Sequence, residues 1–432
     1  MTAAAMEPFG ALLVAAVGAA VGILVRAWQS ERREESWTHM AEDLGLASRS
    51  WRRSWFGPSG LSGTTPDGKI VEITEEGSGN ARGTELSVGA PGQIPAWLDL
   101  TTENLGTAFS RAFGERDLEV GDPAFDAEVA VHGDAASAVA ALTQEARVAA
   151  RALICDGYAV QRGTVHFACR RGARDAAELV VAARRAIWLA GLLASSETIP
   201  RRLAAQASGD PLPGVRRRAL ERLADGFAEL PETAAALAAA LGDADPGVRV
   251  FAAARLGAAG EPTLLDLLAD AQVPDGVVVE ALAALAGRLP AERAVALLVE
   301  SAPGRGAAVL AAAAGSLTTP AGPGAEEALV GLLGHEEREV RLAVAAALGR
   351  VGTTAAVAPL RAVVAAHPLD LGLRGGASEA IAAIQARADG AAPGQLSLAG
   401  GEAGTLTLAD DHGSGRVALA EGGKGRAAPE QE

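Results

Sequence analysis

The sequence is poor in several residue types that particular functions require. It contains two cysteines and one tyrosine, and its aromatic content is 3%. Lysine occurs only at positions 69 and 424, so nearly all of the 38 basic residues are arginine. They are outnumbered by 53 acidic residues, which gives a formal net charge of -15. Because a nucleic-acid-binding face needs a net basic stripe, nucleic acid is not an expected partner.

Two cysteines are too few for a disulfide framework or a zinc knuckle. Cys155 and Cys169 flank a predicted hairpin whose turn is centred on Arg162, so they could lie opposite one another. The alternative is a pair of reduced thiols in the core, which is where free cysteine is usually found. We favour the second interpretation.

The abundant residues predict a helical protein. Hydrophobic residues make up 49% of the chain, and most of them are alanine, leucine and valine. Alanine and leucine are strong helix formers, whereas the 52 glycines are expected mainly at turns and helix ends. The predicted fold is mainly α, with a C-terminal helical-repeat region preceded by a smaller α+β domain and one N-terminal transmembrane helix.

The predicted transmembrane helix comprises residues 9–25, which carry no charge. At ~1.5 Å per residue this helix would be about 26 Å long, the short end of what crosses a bilayer. Arg26, Arg32 and Arg33 follow the apolar run, whereas only Glu7 precedes it. The positive-inside rule then predicts a single-pass protein of the inner membrane, with its amino terminus outside and its bulk in the cytoplasm.

Within that helix, Gly18 and Gly22 have the four-residue spacing that lets two membrane helices approach closely. This spacing is compatible with a homodimer, with the lipid bilayer as a second partner through residues 9–25. An alternative is export, with the same segment serving as an uncleaved signal. A reporter fused to the carboxyl end would distinguish the two orientations.

Residues 36–196 are predicted to form an α+β domain. A helical pattern ends at Gly45, and the period then changes to the alternation typical of strands. The predicted strands cover residues 69–74, 84–88 and 125–131, with a hairpin around Arg162, and the predicted helices cover 135–154 and 173–194.

This domain also holds the candidates for chemistry, namely Asp122, Asp126, His132 and His166. An acid/base or metal site would need several of them to converge. The alternative is that Asp122 and Asp126, beside a glycine and a proline, only cap a turn. Three tryptophans that could form a ligand-binding box are assigned instead to core or membrane-proximal packing: Trp51, Trp55 and Trp97.

Residues 200–389 contain an internal repeat. Pairs of apolar or small residues eight positions apart recur every 29 to 33 residues, at 215/223, 248/256, 277/285, 307/315, 340/348 and 373/381. Second helices are predicted at 233–241, 262–270, 291–300, 325–333 and 355–366. Periods of this size are typical of helical arrays in which each unit must stack on its neighbours.

The best-preserved unit runs from Asp245 through Pro246, Val248 and Arg249 to Gly257, and it resembles the first helix of a short bacterial HEAT repeat. The resemblance implies that Asp245 caps the helix and that Arg249 and Arg341 reach a neighbouring repeat to form a ladder. Equivalent arginines are Arg216 and Arg374. Glu337 replaces the aspartate, and Val278 and Ala308 replace the arginine, so the ladder is expected to be broken in the middle repeats.

Residues 390–432 form a low-complexity tail with three short strand-like copies, at 394–399, 404–409 and 415–420. We expect it to be disordered in isolation or to add a strand to a partner's sheet. The predicted function is a membrane-anchored adaptor or scaffold that binds a protein partner through its repeats, without catalysis, cofactor or metal. The alternative is a small-ligand sensor or enzyme in residues 36–196, with the repeats recruiting a partner.

Overall fold

The computed structural model describes residues 34–54, 57–76, 83–102, 117–169, 176–289, 291–300, 305–317, 323–387, 396–398 and 406–408. The chain divides into two compact units, Met1–Thr263 and Leu264–Glu432. The first unit continues past residue 196 and includes the first helices of the repeat region.

The amino-terminal part of the first unit is an α+β region. Its described elements are α1 (34–43), β1 (Ser48–Ser54), β2 (Gly57–Thr64), β3 (Ile70–Glu76), β4 (Gly83–Gly89), β5 (Asp99–Thr102), α2 (Pro123–Asp126), β6 (Val129–His132), α3 (Ala135–Ala141), α4 (Gln144–Cys155), β7 (Tyr158–Gln161), β8 (Thr164–Cys169) and α5 (Ala176–Leu193). The strands form one antiparallel sheet in the order β1-β2-β3-β4-β8-β7-β5-β6.

One face of this sheet is buried under helices. The fully buried strand residues alternate with exposed or half-buried ones, as a half-covered sheet requires: Val71, Ile73, Leu86, Val88, Leu100, Val160 and Val165. Helix α5 lies against β4 and β8, and α4 lies against β5 and β7. The sheet core is therefore sealed by two helices of the same region.

Two local predictions in this region are wrong. The strand predicted at 125–131 begins only at Val129, because Asp122 and Pro123 start the short helix α2 instead. The helix predicted at 135–154 is two helices, because the Thr143 hydroxyl accepts the Ala146 N–H and starts a new helix there. The hairpin around Arg162 is confirmed, with Gln161 paired to Thr164.

The helices of the repeat region follow the predicted spacing closely. In order they are α6 (Ile199–Gly209), α7 (Pro213–Gly226), α8 (Pro231–Ala240), α9 (Pro246–Leu256), α10 (Glu261–Ala269), α11 (Asp275–Ala284), α12 (Ala291–Glu300), α13 (Ala307–Ser316), α14 (Pro323–Leu332), α15 (Arg338–Val351), α16 (Val357–Ala366) and α17 (Leu371–Arg387). Short 3-10 turns precede α10 and α16, at Gly257–Gly260 and Thr354–Ala356. The C-terminal part of the chain is thus a run of helix pairs.

Two of the strand-like copies in the tail pair with each other. Strand β9 (Leu396–Leu398) is antiparallel to β10 (Leu406–Leu408), with Ser397 opposite Thr407. The third copy, at 415–420, lies outside the described residues. Addition of a tail strand to a partner's sheet stays a prediction.

The predicted transmembrane helix at 9–25, with Gly18 and Gly22, lies outside the described residues. Across the described ranges, no helix has both the length and the apolar character needed to cross a membrane. The 18-residue helix α5, for example, carries Glu178, Arg184 and Arg185. On this finding, the prediction of a single-pass inner-membrane protein is wrong.

Candidate functional site

Asp122 and Asp126 hold the loop that leads into α2. Asp122 Oδ1 accepts the Phe125 N–H at 3.2 Å, as a helix N-cap does. The Asp126 oxygens accept the N–H groups of Val120 and Gly121 at 3.0 and 3.1 Å. Burial raises the pKa of the Asp126 carboxyl, and these two backbone donors oppose the rise. Both carboxylates thus have local structural partners.

The two histidines lie with different acidic partners. His132 Nε2 is 3.2 Å from Asp117 Oδ1, and His166 Nδ1 is 3.7 Å from Glu85 Oε1. No group of three or more potential ligands that could hold a metal occurs among the described residues. The structure does not bring the four candidate residues together into one acid/base or metal site.

Asp122 has a second partner that the sequence did not reveal. Its Oδ2 accepts Arg147 Nε at 2.9 Å, and the Arg147 guanidinium also forms a two-pronged pair with Asp210 at 3.0 and 3.1 Å. The Arg147 side chain is 1% exposed and that of Asp210 is 2% exposed. Nη1 of Arg147 further donates to the Leu142 carbonyl oxygen. A buried charge of this kind is tolerated because nearly every donor is satisfied.

This network connects the α+β region to the first repeat helices within the first unit. Arg147 lies on α4, whereas Asp210 follows α6 and also accepts the Leu212 N–H. Nearby, the side-chain amide of Gln206 donates to the Val139 carbonyl oxygen at 2.9 Å. A Cβ on Gly121 would overlap the Gly214 backbone, so the two segments touch at main-chain distance. The α+β region and α6–α7 therefore pack as one body.

A groove of about 420 Å³ lies beside α4. Phe125, Val148 and Ala152 provide its apolar lining, and Cys155 stands at its edge. Cys155 is exposed, so the prediction of a core thiol is wrong for this residue; it ends a helix and is not part of the hairpin. Desolvation and the nearby Glu128 carboxylate raise the pKa of the Cys155 thiol. A raised pKa disfavours the nucleophilic thiolate.

Four arginines close the turns that precede repeat helices. Each donates to the carbonyl oxygen six residues earlier in the chain: Arg216 to Asp210, Arg249 to Asp243, Arg341 to His335 and Arg374 to Pro368. The first three also donate to the carbonyl five residues earlier. We call this set the turn-closing arginines. For Arg249 this contact is made to the turn before its own helix.

A cross-repeat bond is made by Arg216. Its Nε and Nη2 reach the Asp243 carboxylate, 27 residues later, at 2.8 and 2.6 Å. The equivalent positions are Gly276 after Arg249 and Pro368 after Arg341, which offer no carboxylate. Burial alone would raise the pKa of Asp243, but Arg216 and the Asp245 N–H lower it overall. Of these three arginines, Arg216 is therefore the one that finds a carboxylate at this spacing.

Asp245 lies at the start of α9. Its Oδ1 accepts the N–H groups of Gly247 and Val248 at 2.9 and 3.1 Å. A cap of this type stabilises a helix by about 1 kcal/mol. Glu337 stands at the same position before α15 and makes no side-chain cap bond.

In the middle repeats a different residue links successive turns. Arg305 donates to the Asp270 and Val273 carbonyl oxygens and to Asp275 Oδ1, 30 to 35 residues earlier. Asp275 Oδ2 in turn accepts the Gly306 N–H at 2.7 Å. Here the link runs from a later turn back to an earlier one. Arg305 therefore links successive turns in the repeats where Val278 and Ala308 replace the usual arginine.

A second set of arginines lies at helix carboxyl ends. Arg350 donates to the carbonyl oxygens of Ala314, Gly315 and Leu317, at the end of α13. Arg387 does the same at the end of α15, reaching the Gly349 and Gly352 carbonyls. Cations at these ends satisfy free carbonyls and favour the helix dipole. The turn-closing arginines, Arg305, Arg350 and Arg387 therefore stabilise the helices and turns of the repeats.

The most exposed large apolar side chains of the described repeats flank one turn. Leu369 is 93% exposed and Leu371 is 74% exposed. Between them, the Asp370 carboxylate accepts Arg338 Nε and Nη2 at 2.9 and 3.1 Å and the Leu373 N–H at 2.9 Å. Arg338 and the Leu373 N–H hold the pKa of Asp370 below its usual range. The turn is fixed while both leucines face solvent.

These helix pairs, with arginine links between their turns, are those of a helical-repeat protein. In agreement, residues 200–286 and 291–382 match a family model described as HEAT repeats. The HEAT resemblance expected from Asp245 to Gly257 is thereby confirmed for residues 200–382. No curated protein matches the chain.

Sequence reasoning missed Arg147, Arg305 and the two exposed leucines. Arg147 and Asp210 are separated by 63 positions, and the sequence gives no periodic signal of their pairing. Leu369 and Leu371 did carry a signal, because leucines on both sides of an aspartate after Pro368 are unusual in a polar turn. Trp97 was assigned to packing but is 74% exposed, while Trp51 is half-buried against the core and Trp55 lies outside the described residues.

Proposed function

We propose that the chain is an interaction scaffold whose HEAT-like repeats bind another protein, and that it does so without catalysis. The observation that carries the proposal is the match of residues 200–286 and 291–382 to HEAT repeats, together with the helix pairs found there. Stacked helical repeats present long surfaces that suit protein partners.

The distribution of charges supports a binding role. The turn-closing arginines and Arg305, Arg350 and Arg387 are each engaged by backbone carbonyls, so they act within the array. Partner contacts therefore fall to other side chains. The turn with Leu369 and Leu371 is the best candidate, because both side chains are exposed and a backbone fixed through Asp370 reduces the entropy lost on binding.

Site-specific photo-crosslinking tests this proposal. Lysine-directed reagents suit the array poorly because the only lysines are at 69 and 424. A photoreactive phenylalanine analogue at position 369 of the full chain should yield a defined adduct with one partner, which excess unlabelled chain competes away. The same analogue at position 148, a 66% exposed valine of the first unit, serves as the matched control.

The expected result is a competed adduct from position 369 and none from position 148. Replacing Leu371 with serine in the position-369 protein should reduce the adduct severalfold. Failure of position 369 to give a competed adduct would remove these leucines from the binding surface, and so would an adduct that the serine replacement leaves unchanged.

A further inference from the structure

Trp97 is a tryptophan that the fold holds in solvent. It is 74% exposed, although its loop neighbours Ile94 and Leu98 are 5% and 1% exposed. Tryptophan is the largest apolar side chain, and covering it would remove on the order of 200 Å² from water. The loop therefore buries Ile94 and Leu98 and leaves the larger Trp97 side chain exposed.

The backbone of this loop is rigidly clamped. The Leu98 N–H donates to the Pro95 carbonyl at 3.1 Å, and the Leu98 carbonyl accepts the Gly163 N–H at 3.2 Å. A Cβ on Gly133 would overlap the Trp97 carbonyl, and one on Gly163 would lie 2.7 Å from the Pro95 carbonyl. Both glycines have positive φ. The backbone at Trp97 therefore cannot rotate to bury the side chain without displacing the neighbouring turns at Gly133 and Gly163.

Arg162 lies at the turn that clamps this loop, and its backbone is itself unfavourable. Its φ is 51° and that of Gly163 is 71°, so the two-residue hairpin turn has both central residues in the left-handed region. Such turns favour Asn-Gly, and a side chain like arginine is unfavourable there. The Arg162 N–H is held by Asp99 Oδ1 at 2.6 Å. Among the described residues, its exposed guanidinium has no hydrogen-bond or ion-pair partner.

Trp97 and Arg162 thus share three properties. They sit on adjacent turns joined by the Gly163–Leu98 hydrogen bond, their backbones are fixed, and each is locally unfavourable where it stands. Tryptophan and arginine are also the residue types most enriched among binding hot spots. A purely structural role explains neither the exposed indole nor an arginine where asparagine fits better.

We propose that Trp97 and Arg162 form a preorganised docking tip that binds a partner-protein segment carrying a carboxylate next to an apolar side chain. Arg162 would pair with the carboxylate, and Trp97 would cover the apolar group. A planar guanidinium with no partner among the described residues is suited to two-pronged carboxylate binding. This inference goes beyond the scaffold role, since it assigns a second binding surface to the α+β region.

Peptide selection provides the test. A random 12-residue peptide library is panned against the immobilised full chain and counter-selected against the W97A protein. The enriched peptides should contain aspartate or glutamate beside leucine, phenylalanine or tryptophan. Their affinity is then measured by fluorescence polarisation for the wild type, W97A, R162N, R162K and W188A. Trp188 is a matched control, because it is 54% exposed on helix α5 and outside the clamped loop.

The expected losses of affinity are tenfold or more for W97A and R162N, less for R162K, and under twofold for W188A. R162N should at the same time raise the unfolding temperature, because asparagine suits the left-handed position. The proposal is overturned if no peptide is enriched, if the peptides are basic, or if R162N binds as tightly as the wild type. It is equally overturned if R162N lowers the unfolding temperature, which would mark Arg162 as structural.

Discussion

The two compact units use arginine in different ways. In the first, Arg147 is buried and shared between two carboxylates and a carbonyl. In the second, Arg305 pairs with Asp275, which is 41% exposed, and Arg338, which is 50% exposed, pairs with Asp370, so each pair has one member in solvent. A buried network is strongly destabilised when one member is lost, whereas surface pairs each contribute little. The stability of the first unit should therefore depend strongly on Arg147, whereas that of the second should be spread over many arginine contacts.

The largest effect is expected from Arg147→Ala. This change leaves Asp210 buried without its cation, which should lower the free energy of unfolding by about 3 to 5 kcal/mol. Urea unfolding followed by circular dichroism provides the measurement. The double variant R147M/D210N removes both charges and should recover part of the loss. Equal destabilisation by Val148→Ala, an exposed neighbour on α4, would contradict the assignment.

Arg305→Ala tests whether the middle repeats have a substitute ladder. The change removes hydrogen bonds to two carbonyls and one carboxylate, and we expect a loss of about 1 to 2 kcal/mol in unfolding free energy. Hydrogen exchange should show faster exchange in α11 and α13. Arg293, an exposed arginine on α12, offers the control, and R293A should leave exchange unchanged. Unchanged exchange in R305A would mean that packing alone holds these repeats.

The turn-closing role of Arg249 is expected to be smaller but measurable. Arg249→Ala removes bonds to the Asp243 and Ala244 carbonyls, each of which then depends on water, so we expect a loss of about 1 kcal/mol. Differential scanning calorimetry should show a lower and broader transition. Arg361→Ala, at an exposed arginine on α16, serves as the control and should have less effect. If the two variants behave alike, the turn-closing role is wrong.

The second unit should also be sensitive to acid. The Gly306 N–H and Arg305 lower the pKa of Asp275, and Arg338 and the Leu373 N–H lower that of Asp370, both from an ordinary value of 3.8. A carboxylate with a lowered folded-state pKa stabilises the fold above its ordinary pKa, and that contribution is lost as pH falls below about 5. The unfolding temperature should therefore drop between pH 5 and 3. D275N should be less stable at pH 7 and show a smaller drop.

The helix pairs could be predicted from sequence because their signals are local. Proline or glycine marks many of the boundaries, as at Pro246 and Gly257, and the apolar positions between them keep a helical period. Strands β1 and β2 were not predicted, since serine, arginine and glycine replace the alternation of apolar residues there. The predicted strand at 125–131 failed because a capping aspartate before proline outweighed the alternation.

The long-range contacts could not be predicted from one chain. Arg147 and Asp210 are 63 residues apart, and Arg305 takes over a link from positions that hold valine and alanine. Such pairings depend on the folded arrangement of helices and leave no period in the sequence. The separate partners of Asp122, Asp126 and the two histidines also became visible only in the structure.

The central claim is that Leu369 and Leu371 bind the partner, whereas the arginines stabilise the array. It is tested most directly by measuring how tightly variants of the chain bind the partner crosslinked at position 369. The account predicts at least tenfold weaker binding for L369S/L371S with an unchanged unfolding temperature. It also predicts that R341A, which loses two turn-closing bonds, lowers the unfolding temperature but changes affinity less than twofold where it remains folded. Wild-type affinity in L369S/L371S would contradict it.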